Sequence, residues 1–348
     1  MKWTNIVATG LLGLTVGAPV AAQEAEKVLY FYNWTDYYPI ELLDKFKTET
    51  GIEVILDGYD SNDTLIAKLQ SGGANYDVIV PSGYLISGLV QDGLIQKINT
   101  AEMENFPTLR DSFKSPEFDP AREYTAPYLW GVTGIAYDSD VVPEAEMTDS
   151  WKEIFEPREE FIGNIAMLDI PADAISAASW YLGIPQCTES SEDAKRILEV
   201  LEAQKPKLKF YSADSTVDRM ASGEVAMYML WNGATARAAA QRESIRFIYP
   251  EEGTPQFTDN FAVPINAPHP ENAKIFINWM MAPENAAAVS NAIAYANAVQ
   301  SEEFMSDQWK NIEAINMPEE FSDRLRPTED CSPTARDLRD KIWTRLKG

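Results

Sequence analysis

Residues 27–56 read KVLYFYNWTDYYPIELLDKFKTETGIEVIL, and they set the pattern for the fold. KVLYFY has the apolar run of a strand. After Pro39, Ile40, Leu43 and Phe46 recur at helical spacing, and Gly51 stands where a left-handed residue closes a helix. IEVIL is a second strand. Asp63 is expected to cap TLIAKLQSGG, where Leu65, Ile66 and Leu69 share a face and Gly72 ends the helix. YDVIVPSG supplies a third strand that breaks into a loop at Pro81-Ser82-Gly83. Strand, helix, strand, helix, strand is half of a doubly wound α/β domain. At its centre, residues 30–39 (YFYNWTDYYP) hold six aromatic side chains around one carboxylate, Asp36. A core strand accounts for the rings but not for the acid.

The theme repeats downstream. GVTGIAYD (131–138) reads as a strand leaving the first domain. FIGNIAMLDIPADAISAASWYLG is a strand, then Asp169 and Asp173, then a helix. EVAMYMLWNGATARAAA is a buried strand, then Trp231 and a helix, and IRFIYPEEG ends another strand. FTDNFAVP places Phe257 and Asp259 just ahead of an apolar strand. AKIFINWMM and ENAAAVSNAIAYANAV read as helices. Strands that cross back late in a chain imply discontinuous domains, two α/β lobes with a hinge and a cleft between them.

Composition narrows the function classes. The chain has 348 residues and a net charge of −25. No basic patch suited to phosphates exists, so nucleic acid is excluded as a partner. MKWTNIVATGLLGLTVGAPVAAQ has one basic residue, Lys2, then an apolar run and small residues before Gln23, which reads as an export leader over residues 1–22. An oxidising compartment permits a disulfide between Cys187 and Cys331, and the sequence leaves their redox state open. The single histidine, His269, sits in the proline-flanked loop APHPEN and reads as a surface residue. Neither it nor the cysteines supply a metal site, and no cofactor motif is present.

In doubly wound sheets ligands lie beyond the carboxyl ends of strands. That rule brings Trp34, Thr35, Asp36 and Tyr37 near Ser82 and Tyr84. An acid beside aromatics also recurs at Asp173, at Trp231 and at Phe257 with Asp259. Each has a plainer reading: Asp36 and Asp173 as helix N-caps, Asp259 as a turn acid, Trp231 as a packing residue, Ser82 as turn chemistry. Together they suit an organic cation, because carboxylates accept from an ammonium and ring faces attract it. No arginine lies in these loops, as a receptor for amino-acid carboxylates would need, and the cleft is expected to carry acids without a base. A sugar receptor, or a secreted glycosidase using Asp36 with Asp173, is the competing reading.

At these residues the sequence resembles the periplasmic spermidine/putrescine-binding proteins of ABC importers. The likeness runs through YNWTDYY, TGIEV, DGYDSND, YDVIVPSGY, APYLWGVTGIAYD, SGEVAMYMLWNG, FAVP, AYANA and IWTRLK. The resemblance implies a two-lobed periplasmic binding protein, with lobe 1 over 23–132 and 261–302 and lobe 2 over 133–260 and 303–348. It implies a polyamine ligand, a membrane ABC permease as partner, a monomer, no catalysis and no cofactor. Trp34 and Trp231 become opposing walls, with Thr35, Asp36 and Tyr37 around one amine and Ser82 and Tyr84 in the same lobe. Asp173 anchors from the second lobe, Phe257 and Asp259 grip an ammonium, and Tyr295 closes over the ligand. Three positions depart from the pattern, one being Phe257, which stands where some relatives have tryptophan. Ile170 stands where spermidine-preferring members carry an acid, and Ala234 where putrescine-preferring members do. The choice between diamine and triamine is therefore open.

Overall fold

The structure, a computed structural model, describes residues 1, 26–72, 75–309, 314–315 and 319–348. The leader read over 1–22 lies, apart from Met1, outside the described residues. Among the described residues twelve strands form one sheet: β1 Val28–Trp34, β2 Glu53–Tyr59, β3 Val78–Ile79, β4 Ile95–Gln96, β5 Thr125–Asp138, β6 Ile165–Met167, β7 Phe210–Tyr211, β8 Met227–Trp231, β9 Ile245–Ile248, β10 Thr254–Pro264, β11 Ala296–Asn297 and β12 Leu325–Pro327. The main order is β2-β1-β3-β10-β5-β8-β6-β7. β2, β1 and β3 are parallel, as helical crossovers between them require.

Period-two alternation decides which face each side chain covers. Along β1, Phe31 enters a core with Phe46, Phe261 and Phe276, while Tyr32 enters the opposite one with Tyr59, Leu65 and Ile86. Along β8, Met227 and Met229 join Trp151, Ile175 and Ile197, while Tyr228 and Leu230 join Met220 and Ala234. Both halves of the sheet are thus covered on two faces, as a doubly wound arrangement demands.

β5 connects the halves. Its residues Thr125 to Val132 pair antiparallel with β10, and Thr133 to Asp138 pair with β8 and β9. The partner change falls between Val132 and Thr133. There the buried Asn232 side chain accepts from the Val132 N–H at 3.0 Å and donates to the Ala314 carbonyl at 2.8 Å.

Several local expectations change. Gly51 does close the helix Ile40–Thr50, at φ +76°, with its N–H on the Lys47 carbonyl. Asp36 is no cap, because the helix begins beyond Pro39; Asp36 instead occupies a left-handed turn at φ +58°, a conformation aspartate tolerates better than most residues. Ser61, not Asp63, caps the helix Asn62–Gln70, its Oγ accepting from the Thr64 N–H at 3.2 Å. Phe257 and Asp259 lie inside β10 rather than ahead of it, at a register shift between Thr258 and Asn260. The helix read through AYANAV stops at Ile293, because left-handed Ala294 turns the chain into β11 against β5. His269 is not a surface residue: its side chain is only 15% exposed, with Nδ1 3.0 Å from the buried Asp77 carboxylate.

A disulfide joins Cys187 to Cys331, with Cα atoms 5.2 Å apart. It ties the segment after the helix Pro171–Tyr181 to the segment that enters the last helix, Pro333–Lys347.

Candidate ligand-binding cleft

A cavity of about 720 Å³ lies where β5 changes partners, lined from both halves of the sheet. All of the side chains singled out in the sequence reach it: Trp34, Thr35, Asp36, Tyr37, Ser82, Tyr84, Asp173, Trp231, Phe257, Asp259 and Tyr295.

Asp259 is the centre of one wall. The register shift turns its carboxylate inward, where Oδ1 accepts from Ser82 Oγ at 2.7 Å and Oδ2 from the Tyr37 hydroxyl at 2.9 Å. It is 4% exposed, and burial pushes its carboxyl up to about 7. The two hydrogen bonds oppose that rise, and the nearby charge of Asp173 adds to it. Asn62 Nδ2 donates to Ser82 Oγ at 3.1 Å and to the Tyr84 hydroxyl at 2.9 Å, so these groups form one connected network.

Asp173 faces it from the other half. It does not cap its helix, which begins at Pro171 after Ile170. Its Oδ2 accepts from the Thr133 hydroxyl at 2.7 Å, just past the partner change in β5. Burial raises its pKa too, with hydrogen bonds from Thr133 and the Trp231 indole and the charge of Arg339 countering. Asp169 is drawn away to an ion pair with Lys347 at 2.8 Å.

Rings complete the walls. Trp34 is held by its indole N–H on the Val80 carbonyl at 2.9 Å and lies 4.8 Å from the Tyr59 ring. Tyr295 meets Tyr37 at 5.2 Å and Phe257 at 6.0 Å between centroids. Gly233 permits this closure: a Cβ there would lie 2.6 Å from the Tyr295 ring.

The expectation of a cleft without a base is corrected. Arg237 lines the cavity from the helix Asn232–Gln241, a helix rather than a loop. Spacing held the signal, since Gly233 and Arg237 are four residues apart on one helical face and both meet Tyr295. Asn62, Tyr59, Asp60, Asp214 and Asp218 also line the cavity and were missed as site residues. Among the described residues no group of three or more His, Cys, Asp or Glu side chains is placed to hold a metal ion.

Two buried carboxylates with hydrogen-bonding capacity to spare, between indole and phenol walls, are chemically suited to an organic cation. Fold and cleft together define a two-lobed α/β solute-binding protein. The chain belongs to the bacterial extracellular solute-binding protein family, whose model matches residues 41–317. It is 34% identical over 297 residues, 84% of either chain, to the spermidine/putrescine-binding periplasmic protein of Escherichia coli strain K12. It is 31% identical over 357 residues, 97% of either chain, to the putrescine-binding periplasmic protein SpuD of Pseudomonas aeruginosa strain UCBPP-PA14. Among solved structures, the TpPotD lipoprotein of Treponema pallidum superposes with a TM-score of 0.81 at 26% identity, covering 92% of this chain and 99% of that one.

Proposed function

We propose that this chain is the periplasmic receptor of a polyamine importer, binding putrescine or a related amine between its lobes and presenting it to a membrane ABC permease. The observation that carries the reading is the pair of buried carboxylates, Asp173 and Asp259, one from each half of the sheet and both destabilised by burial in the charged form. An ammonium entering the cleft removes that penalty at the moment of binding. Trp34, Trp231, Phe257 and Tyr295 cover the methylene chain, and Thr35, Asp36, Tyr37, Ser82 and Tyr84 finish the first wall.

The mechanism is closure, not chemistry. The lobes divide close to the bounds expected from the sequence, 23–132 with 261–302 and 133–260 with 303–348, except that the stretch of β10 carrying Asp259, which bonds Ser82 and Tyr37, goes with the first lobe, so that β5 and β10 serve as the hinge strands. The amine bridges the half-sites and favours the closed state by its greater affinity for it. The permease reads that closed form, and the receptor acts as a monomer. A micromolar ligand requires only about 8 kcal/mol net, within reach of two charged acceptors and stacked rings after ordering costs.

Titration calorimetry of the ligand-free mature chain from Gln23 with putrescine, cadaverine, spermidine and spermine tests the reading. Saturable binding of at least one, with one site per chain, is the expected result. Silence from all four would sink it and leave the sugar and amino-acid readings.

A further inference from the structure

The carboxylates that line the cleft fall into two groups. Asp173 and Asp259 are buried, while Asp36, Asp60, Asp214 and Asp218 are exposed at its rim. A buried carboxylate holds an ammonium strongly because water does not compete, whereas a solvated one contributes little. Two buried acids therefore match two ammonium groups.

Arg237 stands where a longer ligand would extend on the Asp36 side. Its guanidinium lies 6.0 Å from the Tyr295 ring centroid, and Nη1 donates to the Asp36 carbonyl at 3.3 Å. Its Nε is buried with no hydrogen-bond partner. These contacts are a ring and a carbonyl, so its charge is not neutralised by a carboxylate among the described residues. Trp231, whose indole serves Asp173, precedes the helix that carries Arg237. Six residues of helix rise about 9 Å, which separates the Arg237 backbone from the Asp173 end of the cleft.

Resting on the polyamine reading of this cleft, we propose that Arg237 is a specificity-determining residue that selects a two-charge aliphatic diamine by repelling a third ammonium at the Asp36 end. The diamine places its charges at Asp173 and Asp259 and stops short of the guanidinium. A triamine brings its extra charge toward Arg237, and like-charge repulsion there disfavours it by about tenfold.

The test is calorimetry of the ligand-free chain, Arg237→Gln and Arg237→Glu with putrescine and with spermidine, thermal melts confirming that each variant is folded. The expected result is a parent protein that prefers putrescine, and a spermidine-to-putrescine affinity ratio that rises several-fold in Arg237→Gln and tenfold or more in Arg237→Glu. A purely structural arginine would change both affinities together. Binding of both amines with an unmoved ratio, or a parent protein that prefers spermidine, overturns this inference and leaves the polyamine reading standing. No binding of either amine by parent or variants overturns both.

Discussion

Ser82 and Asp259 stand 177 residues apart in the chain and meet twice, as an isolated antiparallel bridge and through the 2.7 Å bond from Ser82 Oγ to Asp259 Oδ1. The carboxylate is held by donors that do not neutralise it. Asp259→Asn should weaken amine binding more than tenfold, because an ammonium loses a charged acceptor while the amide still fits. An unchanged dissociation constant in calorimetry would remove Asp259 from the site.

The raised pKa of Asp259, about 7, couples both stability and binding to pH. Its folded value lies above the usual carboxylate range, so the folded state binds more protons than the unfolded one between pH 4 and 7. The ligand-free protein should therefore lose this contribution as pH rises through that window. Amine binding should strengthen over the same interval and release a proton near neutrality. Calorimetry in buffers of different ionisation enthalpy measures the release, and Asp259→Asn should abolish most of it.

Trp231 is half-buried and lends its indole to Asp173. Trp231→Ala should weaken binding by roughly 1–3 kcal/mol through lost ring contact and a freed carboxylate partner. Because no net charge changes, the slope of affinity against salt should stay close to that of the parent. A slope that collapses would point to a charged role elsewhere on the wall.

Gly233 lies under Tyr295, and an added methyl would approach its ring to 2.6 Å. Alanine suits the helix itself, so Gly233→Ala separates propensity from packing. The clash should dominate at about 1–3 kcal/mol. Tyr295 would be displaced, and affinity should fall more than the melting temperature does. A variant that binds like the parent would show that Tyr295 has room to retreat.

The Cys187–Cys331 disulfide spans 144 residues of chain. Reduction, or paired replacement by serine, should cost about 2–5 kcal/mol and lower Tm by several degrees. Hydrogen exchange should rise first in Pro333–Lys347, which packs on the helices Pro171–Tyr181 and Ser191–Gln204. Equal exchange in oxidised and reduced protein would mean that packing alone holds this helix.

Local order was legible along the chain. The strand through Trp34, the helix closed by Gly51 and the buried run Met227–Leu230 follow from spacings of two to four residues, which periodicity records directly. Boundaries were less legible where two neighbours offered the same chemistry. Ser61 displaced Asp63 as the cap because its position relative to the first turn, not its residue type alone, lets its oxygen meet the Thr64 N–H. The helix through Ala287 overran into AYANAV because alanine suits a helix until tertiary pairing with β5 claims the next residues.

The sequence by itself determined the α/β alternation and the recurrence of acids beside rings. Those features are written in near neighbours and in residue chemistry. Only the tertiary structure decided that Asp259 sits at a register shift within β10, that β5 changes partners between Val132 and Thr133, and that Arg237 enters the cleft. Each depends on contacts between residues tens to hundreds of positions apart. Such contacts are set by which faces of the sheet and helices can be buried together, and no local spacing encodes that choice.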